Sequence, residues 1–186
     1  MRARLRGFAL AGTLALLAGC GPSGPPVDEG TFAPALKVVD LADEPQTIAW
    51  DGQGVVLVQF WAMACCAEQL PATAAVHRAY APRGLRTITI NAGNSREELD
   101  DVRSQADWPF EMVTDPLFIA SHTYDVVGIP TTFLVRDGVL VWRHGGNLTA
   151  AQLGAQVATI MDVTPVALRE PNARPPERFA AWSGRP

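Results

Sequence analysis

The sequence is poor in cysteine and lacks both a long apolar run and a basic stripe. Three cysteines in 186 residues are too few for a disulfide scaffold. No apolar stretch approaches the ~20 residues of a membrane-spanning helix, which excludes a multi-pass membrane protein. The formal charge is −4, and no run of Lys and Arg could neutralise phosphates, which argues against a nucleic-acid partner. With 48% hydrophobic residues, the chain can bury one compact core.

The first residues have the pattern of a leader peptide. Three arginines near the start precede a short apolar stretch over residues 8–19. It ends in Leu17-Ala18-Gly19-Cys20, which resembles the lipobox of bacterial lipoproteins, a family in which the signal is cut before an acylated cysteine. We therefore expect a signal peptide over residues 1–19 and lipidation at Cys20. This predicts an extracytoplasmic lipoprotein of the bacterial cell membrane or outer membrane, facing the periplasm; an ordinary secretory peptide is the alternative.

Proline-rich segments flank the central part of the chain. Residues 20–31 contain the run GPSGPP, which predicts a flexible tether outside any core. Residues 162–186 combine prolines with arginines and cannot sustain a helix or a central strand, which predicts a mobile tail. The sequence therefore predicts one folded domain over residues 32–161, an ordinary size for a single domain.

The body of the chain alternates strand and helix patterns. Residues 55–61, VVLVQFW, form a β-branched and aromatic run typical of a strand buried on both faces. A helix is predicted over residues 67–80, with a kink at Pro71 near its start. The other predicted elements are strands at 85–91, 132–135 and 139–143, a short helix at 118–124, and two helices opened by the capping boxes Ser95/Glu98 and Thr149/Gln152. This order predicts an α/β fold with a mixed sheet.

Two motifs carry a family resemblance. Phe60-Trp61-Ala62 leads to a cysteine, and residues 124–134 read YDVVGIPTTFL. Together they resemble the thioredoxin-like proteins of the TlpA/ResA type. The resemblance covers roughly residues 32–161 and implies a thioredoxin-like mixed sheet flanked by helices, with an added N-terminal β-hairpin at 36–49. It also implies a membrane-tethered disulfide reductase whose catalytic cysteines are Cys65 and Cys66.

The second motif also implies a client-binding surface. In the family its proline is cis and sits against the redox cysteines, so Ile129-Pro130 is expected to be a cis bond. Proline lacks an N–H, and an extended client backbone could pair beside the thiol. The resemblance thus assigns substrate binding to Ile129, Pro130 and Thr131, with Trp61 flanking the site.

The cysteine motif departs from the family pattern, which is Trp-Ala-x-x-Cys-x-x-Cys followed by Glu or Gln and then Pro. Counting from Trp61 makes Cys65 the first cysteine, whereas counting back from Gln69 and Pro71 makes Cys66 the second. Either two residues are missing between them, or Glu68 stands where the resolving thiol belongs. The sequence leaves both registers open. Gln59 is a further departure, since thioredoxin itself has a buried, proton-relaying Asp at that position.

Adjacent cysteines make an unusual redox pair. Neighbouring Cα atoms lie ~3.8 Å apart across a trans peptide. That distance is below the ~4.4–6.8 Å usual for a disulfide. Adjacent residues of a helix also do not face each other. We therefore expect a Cys65–Cys66 disulfide to be strained and readily reduced.

Four activities compete on this evidence. In a thiol–disulfide oxidoreductase, the Cys65 thiolate attacks a disulfide of a protein client, and Cys66 or an external thiol resolves the mixed disulfide. The partners are the client and an unidentified electron donor, and no cofactor is expected because the cysteines themselves are redox-active. Alternatively, the two thiolates and the Met63 thioether could bind Cu(I). The third reading is a redox-inactive binding module. Peroxide reduction is the weakest, because peroxiredoxins carry Thr or Ser at the position of Ala62.

The histidines indicate no further site. His77 lies in the helix predicted after the cysteines and is expected at the surface or rim of that helix. His122 and His144 are isolated, without a carboxylate or cysteine at triad or zinc spacing. The sequence therefore predicts no zinc centre and no hydrolytic triad.

Overall fold

The computed structural model describes residues 27–50, 52 and 54–168. The strands are β1 (Leu36–Val39), β2 (Pro45–Ile48), β3 (Val55–Trp61), β4 (Arg86–Asn91), β5 (Glu111–Thr114), β6 (Thr131–Arg136) and β7 (Val139–Gly145). The helices are α1 (Met63–Cys66), α2 (Gln69–Tyr80), α3 (Arg96–Gln105), α4 (Ile119–Thr123) and α5 (Ala150–Met161), with a 3₁₀ turn at Ala81–Arg83. The strands form one seven-stranded mixed sheet in the order β2-β1-β5-β4-β3-β6-β7, which confirms the predicted α/β class.

Strand β3 lies at the centre of the sheet. It runs parallel to β4 and antiparallel to β6, and its bounds are those predicted from the apolar run. Strand β4 is also parallel to β5. The carboxyl ends of β3, β4 and β5 therefore meet at one edge of the sheet, and the cysteines follow β3 at that edge.

Helices cover both faces of the sheet. On one face Phe60 of β3 packs in a cluster with Tyr124 at the end of α4. On the other face Leu57 packs with Val76 of α2 and Leu153 of α5. Since side chains alternate along a strand, the continuous apolar run of β3 supplies both cores.

Both predicted hairpins are present. Leu36 of β1 pairs with Ile48 of β2, within the segment expected for the added N-terminal hairpin. Strands β6 and β7 are joined across Asp137-Gly138, whose φ angles are 51° and 80°. A Cβ on Gly138 would also lie 3.2 Å from the Trp50 carbonyl oxygen, so this turn requires glycine for both conformation and space.

The helix starts follow the predicted capping boxes. Glu98 N donates to Ser95 Oγ at 3.3 Å, and Ser95 N donates to the Glu98 carboxylate at 2.8 Å. Thr149 and Gln152 exchange the equivalent bonds at 3.1 and 2.9 Å. Each box gives acceptors to two backbone N–H groups that would otherwise lack partners at the helix start.

The helix predicted over residues 67–80 begins earlier and is interrupted. Helix α1 starts at Met63, and α2 starts at Gln69. Pro71 has no N–H to donate to the Ala67 carbonyl, and Leu70 N donates to that oxygen instead at 3.1 Å. The break therefore lies one turn before Pro71.

Strand β5 was not predicted. It has only four residues, EMVT, and lies between Phe110 and the Asp115-Pro116 step, so it shows no alternating pattern. Asp115, predicted as part of a turn, is buried and lies before α4, where its carboxylate accepts the first-turn N–H groups of Ala120 at 3.1 Å and Ser121 at 2.7 Å. The strand owes its existence to parallel pairing with β4, which a local pattern does not reveal.

The packed unit is longer than the predicted domain over 32–161. Val27 is buried in the core shared with α4, although the tether was predicted to run to residue 31. Leu168 packs against the core of α2 and α5, and Val166 N donates to the Tyr80 hydroxyl at 3.0 Å, so the start of the predicted tail is docked. The leader, Cys20 and the rest of the tail lie outside the described residues. Within the described part, no helix has the length and apolar character needed to cross a membrane.

Candidate active site

The cysteines lie directly after the central strand, at the carboxyl edge of the sheet. Cys65 is exposed, whereas Cys66 is completely buried, and the structure joins them by a disulfide. Glu68 is exposed, and its carboxylate accepts a long 3.5 Å hydrogen bond from Asn147 Nδ2. Of the two registers left open by the sequence, the structure thus pairs Cys65 with Cys66 and leaves Glu68 at the surface.

The two sulfurs have different surroundings. Cys65 Sγ lies 3.7 Å from the carbonyl oxygen of Ala62 and 4.0 Å from that of Ile129. Cys66 Sγ receives the Ala62 N–H at 3.5 Å and packs in an apolar cluster with Leu70. A reagent or client can therefore reach the Cys65 sulfur, while the Cys66 sulfur is shielded behind it.

The proline segment faces the exposed cysteine. The Ile129-Pro130 bond is cis, as the resemblance implied. Pro130 is buried, Ile129 is half-buried, and the Ile129 carbonyl is the group beside Cys65. Thr131 begins β6, is buried, and its hydroxyl donates to the Gly128 carbonyl. The structure thus brings three of the four predicted client-binding residues to the cysteine edge.

Trp61 has a different position. Its side chain is completely buried and packs in the same cluster as Cys66 and Met112. Its indole N–H meets no acceptor within the described part of the chain. The ring backs the cysteines from inside the core, and none of it lies on the surface that a client would meet.

Gln59 is buried below the site, with both ends of its amide paired. Thr73 of α2 donates to Gln59 Oε1 at 2.7 Å, and Gln59 Nε2 donates to the Thr132 hydroxyl of β6 at 3.3 Å. A neutral amide can satisfy both hydroxyls without the cost of burying a charge. This explains how the core accommodates glutamine at a position where thioredoxin has an acid.

Gln69, the first residue of α2, connects the segment after the cysteines to the loop between β7 and α5. Sequence reasoning had used it only to count the register. Its Nε2 donates to the Leu148 carbonyl at 2.6 Å, and Leu148 N donates to its Oε1 at 2.7 Å. The same loop reaches the proline segment, because Gly146 N donates to the Pro130 carbonyl at 2.8 Å. The three segments around Cys65 are therefore tied together.

Asn94 is a second residue that sequence reasoning missed. It follows β4 at the edge that also carries the cysteines, and its Oδ1 accepts the Met63 N–H at 2.9 Å. Polar residues after neighbouring parallel strands are the signal that could have found it, because such strand ends converge.

The donor set for a metal ion is small. Among the described residues, no group of three or more His, Cys, Asp and Glu side chains could hold one. His144 stacks on Trp142 at 5.7 Å, and burial together with nearby Arg78 lowers the pKa of His77. The copper alternative therefore depends on the reduced cysteines and half-buried Met63 alone.

Comparison with known proteins identifies the family. The profile of the AhpC/TSA family matches residues 30–143, which is more than half of the chain. This chain belongs to the AhpC/TSA family. Within this AhpC/TSA chain, the matched segment contains β1 to β6 and the cysteine pair.

Two curated relatives and one solved structure refine this assignment. The AhpC/TSA chain is 28% identical over 134 residues to Thioredoxin-like protein YneN of Bacillus subtilis, covering 68% of this chain and 77% of that protein. It is 28% identical over 128 residues to Thiol-disulfide oxidoreductase ResA of Bacillus thuringiensis subsp. konkukian, covering 67% and 73%. The solution structure of a thiol:disulfide interchange protein from Bacteroides sp. has a TM-score of 0.62 at 22% identity, covering 73% of this chain and 91% of that chain.

These matches confirm the resemblance to ResA-type proteins and the thioredoxin-like mixed sheet. They support a thiol–disulfide oxidoreductase of thioredoxin-like fold, with an adjacent cysteine pair at its site. In this AhpC/TSA chain, Ala62 stands three residues before Cys65 and offers no hydroxyl. That peroxide reduction is the weakest of the four activities stays a prediction.

Proposed function

We propose that the chain is an extracytoplasmic, membrane-anchored thiol–disulfide oxidoreductase. Cys65 is the nucleophile, Cys66 is the resolving thiol, and the client is a protein. The observation that carries the proposal is the exposed Cys65 sulfur, 4.0 Å from the Ile129 carbonyl, with Cys66 buried next to it. The ResA relative supports the same chemistry by its name.

The exchange takes two steps. The Cys65 thiolate attacks a client disulfide, forming a Cys65–client bond and releasing one client sulfur as a thiolate that takes up a proton. The Cys66 thiolate then attacks Cys65 Sγ, forming the Cys65–Cys66 disulfide and releasing the second client thiol. Two electrons pass from the cysteine pair to the client, and an external dithiol donor restores the reduced pair.

The roles of the two cysteines follow from access. Only a sulfur that a client can approach can open a client disulfide, and Cys65 is the exposed one. Cys66 is shielded from a folded client, but it adjoins the sulfur that it must attack. The pair itself carries the electrons, so the reaction needs no further cofactor.

The half-buried Ile129 provides the surface on which the client lies, and the buried Pro130 and Thr131 hold that surface in place from below. The Ile129 carbonyl oxygen lies 4.0 Å from Cys65 Sγ, beside the path of an extended client. A client backbone N–H extended past Cys65 could donate to it. Trp61 supports this surface from below through the cluster that it shares with Cys66.

Trapping of the mixed disulfide tests the proposal. Reduced Cys66→Ser protein, mixed with a disulfide-containing model peptide, should accumulate a Cys65-linked adduct visible by mass spectrometry, whereas Cys65→Ser should form none. The double variant serves as the background control. If the wild-type chain exchanges with no model disulfide but binds Cu(I) stoichiometrically, the metal alternative replaces the proposal; if it does neither, the binding module does.

Membrane anchoring is tested separately. The lipobox-like sequence at residues 17–20 supports acylation of Cys20. Cys20→Ala should move the protein from the membrane fraction to the soluble fraction, and the mature wild-type protein should carry the mass of acyl chains. Retention of the variant in the membrane fraction, with unchanged mass, would contradict the anchor.

A further inference from the structure

We infer that Asn94 and Glu98 are positioning residues for Cys65. Glu98 fixes the orientation of the Asn94 amide, and Asn94 holds the turn that carries the cysteines through the Met63 N–H. The inference rests on the proposed function, because it concerns how the nucleophile of that reaction is held.

The turn between β3 and α1 depends on another segment for its hydrogen bonds. The residue that precedes α1 is Ala62, which has no side-chain acceptor for the free N–H groups of the first turn. Asn94 supplies one from the loop between β4 and α3, with Met63 N donating to its Oδ1 at 2.9 Å. The same loop holds the end of β3, because Ala92 N donates to the Trp61 carbonyl at 2.9 Å.

The donor and acceptor chemistry permits one orientation of the Asn94 amide. Asn94 Nδ2 donates to Glu98 Oε2 at 3.1 Å. A carboxylate only accepts and the Met63 N–H only donates, so the amide binds both groups only with its oxygen toward Met63. Asn91, which is completely buried, completes the arrangement by donating to Asn94 Oδ1 at 2.9 Å and accepting Asn94 N at 3.1 Å.

Glu98 is charged in this network at neutral pH. Its carboxylate accepts the Ser95 N–H as well as the Asn94 amide. The Ser95 backbone bond is the largest of the causes that lower the pKa of Glu98. The carboxylate therefore keeps its acceptor role above that lowered pKa and loses it only in acid.

Movement of Met63 would be felt at the nucleophile. Cys65 is two residues beyond Met63 in the same short helix, and its sulfur lies 4.0 Å from the Ile129 carbonyl. Loss of the Asn94 bond frees this turn to shift relative to the proline segment. A shift of about 1 Å can cost up to about 100-fold in the rate of a positioned reaction.

A swap of the amide and the carboxylate tests the inference. We expect N94A to slow exchange with a model disulfide about tenfold, consistent with a partial loss of positioning. N94D should be worse, because two carboxylates then meet. The double variant N94D/E98Q restores one amide facing one carboxylate, and should recover the thermal stability that N94D loses.

The thiol titration separates positioning from folding. In the Cys66→Ser background, iodoacetamide labelling is followed by mass spectrometry on the peptide that contains Cys65, which separates it from Cys20, and its pH dependence reports the pKa of the Cys65 thiol. In N94D/E98Q the negative charge lies on the residue that touches Met63 N, closer to the sulfur, so the labelling midpoint should move to higher pH. Proportional losses of stability and rate with an unchanged midpoint in every variant would overturn the inference.

The matched control is Asn147→Ala. Asn147 is an exposed asparagine on the other side of the site, with one 3.5 Å bond to Glu68, and its removal should leave rate and midpoint unchanged. Labelling of Cys65 does not require disulfide exchange. A wild-type protein without exchange activity would thus contradict the proposed function. A labelling midpoint that moves to higher pH in N94D/E98Q would still support the positioning of Cys65.

Discussion

The cysteine segment and the proline segment face each other across 4.0 Å, yet only the proline segment follows the spacing of its family. Residues 124–134 keep the usual motif and form the expected end of α4, cis-proline turn and start of β6. The cysteine segment lacks the two residues that normally separate the thiols, and its first helix ends after Cys66. The scaffold around the sulfurs is therefore retained although the pair itself is altered.

The largest effect is expected from restoring the usual two-residue spacing between the thiols, which would remove the difference between the cysteine segment and its family. In Cys66→Ala/Glu68→Cys, the second thiol lies three residues after Cys65, and Ala67 and Glu68 both have helical dihedral angles, so the two side chains share one face. We expect the mixed disulfide with a model peptide to resolve at least about tenfold faster than in the wild-type chain, because i,i+3 neighbours face each other. Stopped-flow release of the peptide thiol measures this rate. An equal or slower rate would show that the adjacent pair resolves as well as a spaced one.

A charge placed under the cysteine segment should have the next largest effect. Gln59→Glu keeps the shape of the side chain but buries a carboxyl between Thr73 and Thr132. Burial raises the pKa of that carboxyl, so its ionisation at pH 7 should cost about 2–4 kcal/mol of unfolding free energy. The loss is present above the raised pKa and disappears as the pH falls towards the unfolded value, so stability should rise from pH 7 to pH 4.5.

Urea unfolding at several pH values measures the Gln59→Glu effect. The control is Gln152→Glu, at an exposed position whose capping role a carboxylate can also fill, with Thr149 N as the donor. A pH-independent loss in Gln59→Glu would indicate a packing defect instead of a buried charge.

Releasing the loop that joins the two segments should have the smallest of the three effects. Gln69→Leu removes both bonds to Leu148, which is half-buried, so water compensates part of the loss. We expect a decrease of about 1–3 kcal/mol in unfolding free energy. The exposed Arg86–Glu111 pair provides the baseline, since Glu111→Gln should cost less than about 1 kcal/mol. Equal losses in the two variants would contradict a connecting role for Gln69.

Local signals were sufficient for much of this fold. The apolar run of β3, the two capping boxes and the Asp137-Gly138 turn each act within a few residues, and each appears where the sequence predicted it. Strand β5 was missed because its four residues become a strand through pairing with β4. The early start of α1 was missed for a related reason: its first N–H is satisfied by Asn94, 31 positions away.

As with the fold, the parts of the site that depend on local motifs were predictable, and the parts that depend on long-range packing were not. Cys65, Cys66 and the Ile129-Pro130 step carry recognisable motifs, and the structure brings them together. The burial of Trp61 and the two hydrogen bonds between Gln69 and the Leu148 backbone depend on packing between distant segments. Sequence spacing alone could not decide whether Cys66 or Glu68 occupies the position of the resolving thiol, because that depends on which side chain turns inward.

The exposure of a single sulfur has a kinetic consequence for the proposed exchange. Client and electron donor must both form their covalent link at Cys65, since Cys66 has no surface to offer either of them. The two half-reactions therefore alternate at one atom, and a ternary complex of donor, protein and client cannot be productive. Steady-state rates measured against both substrates should give parallel double-reciprocal lines, the mark of a ping-pong cycle.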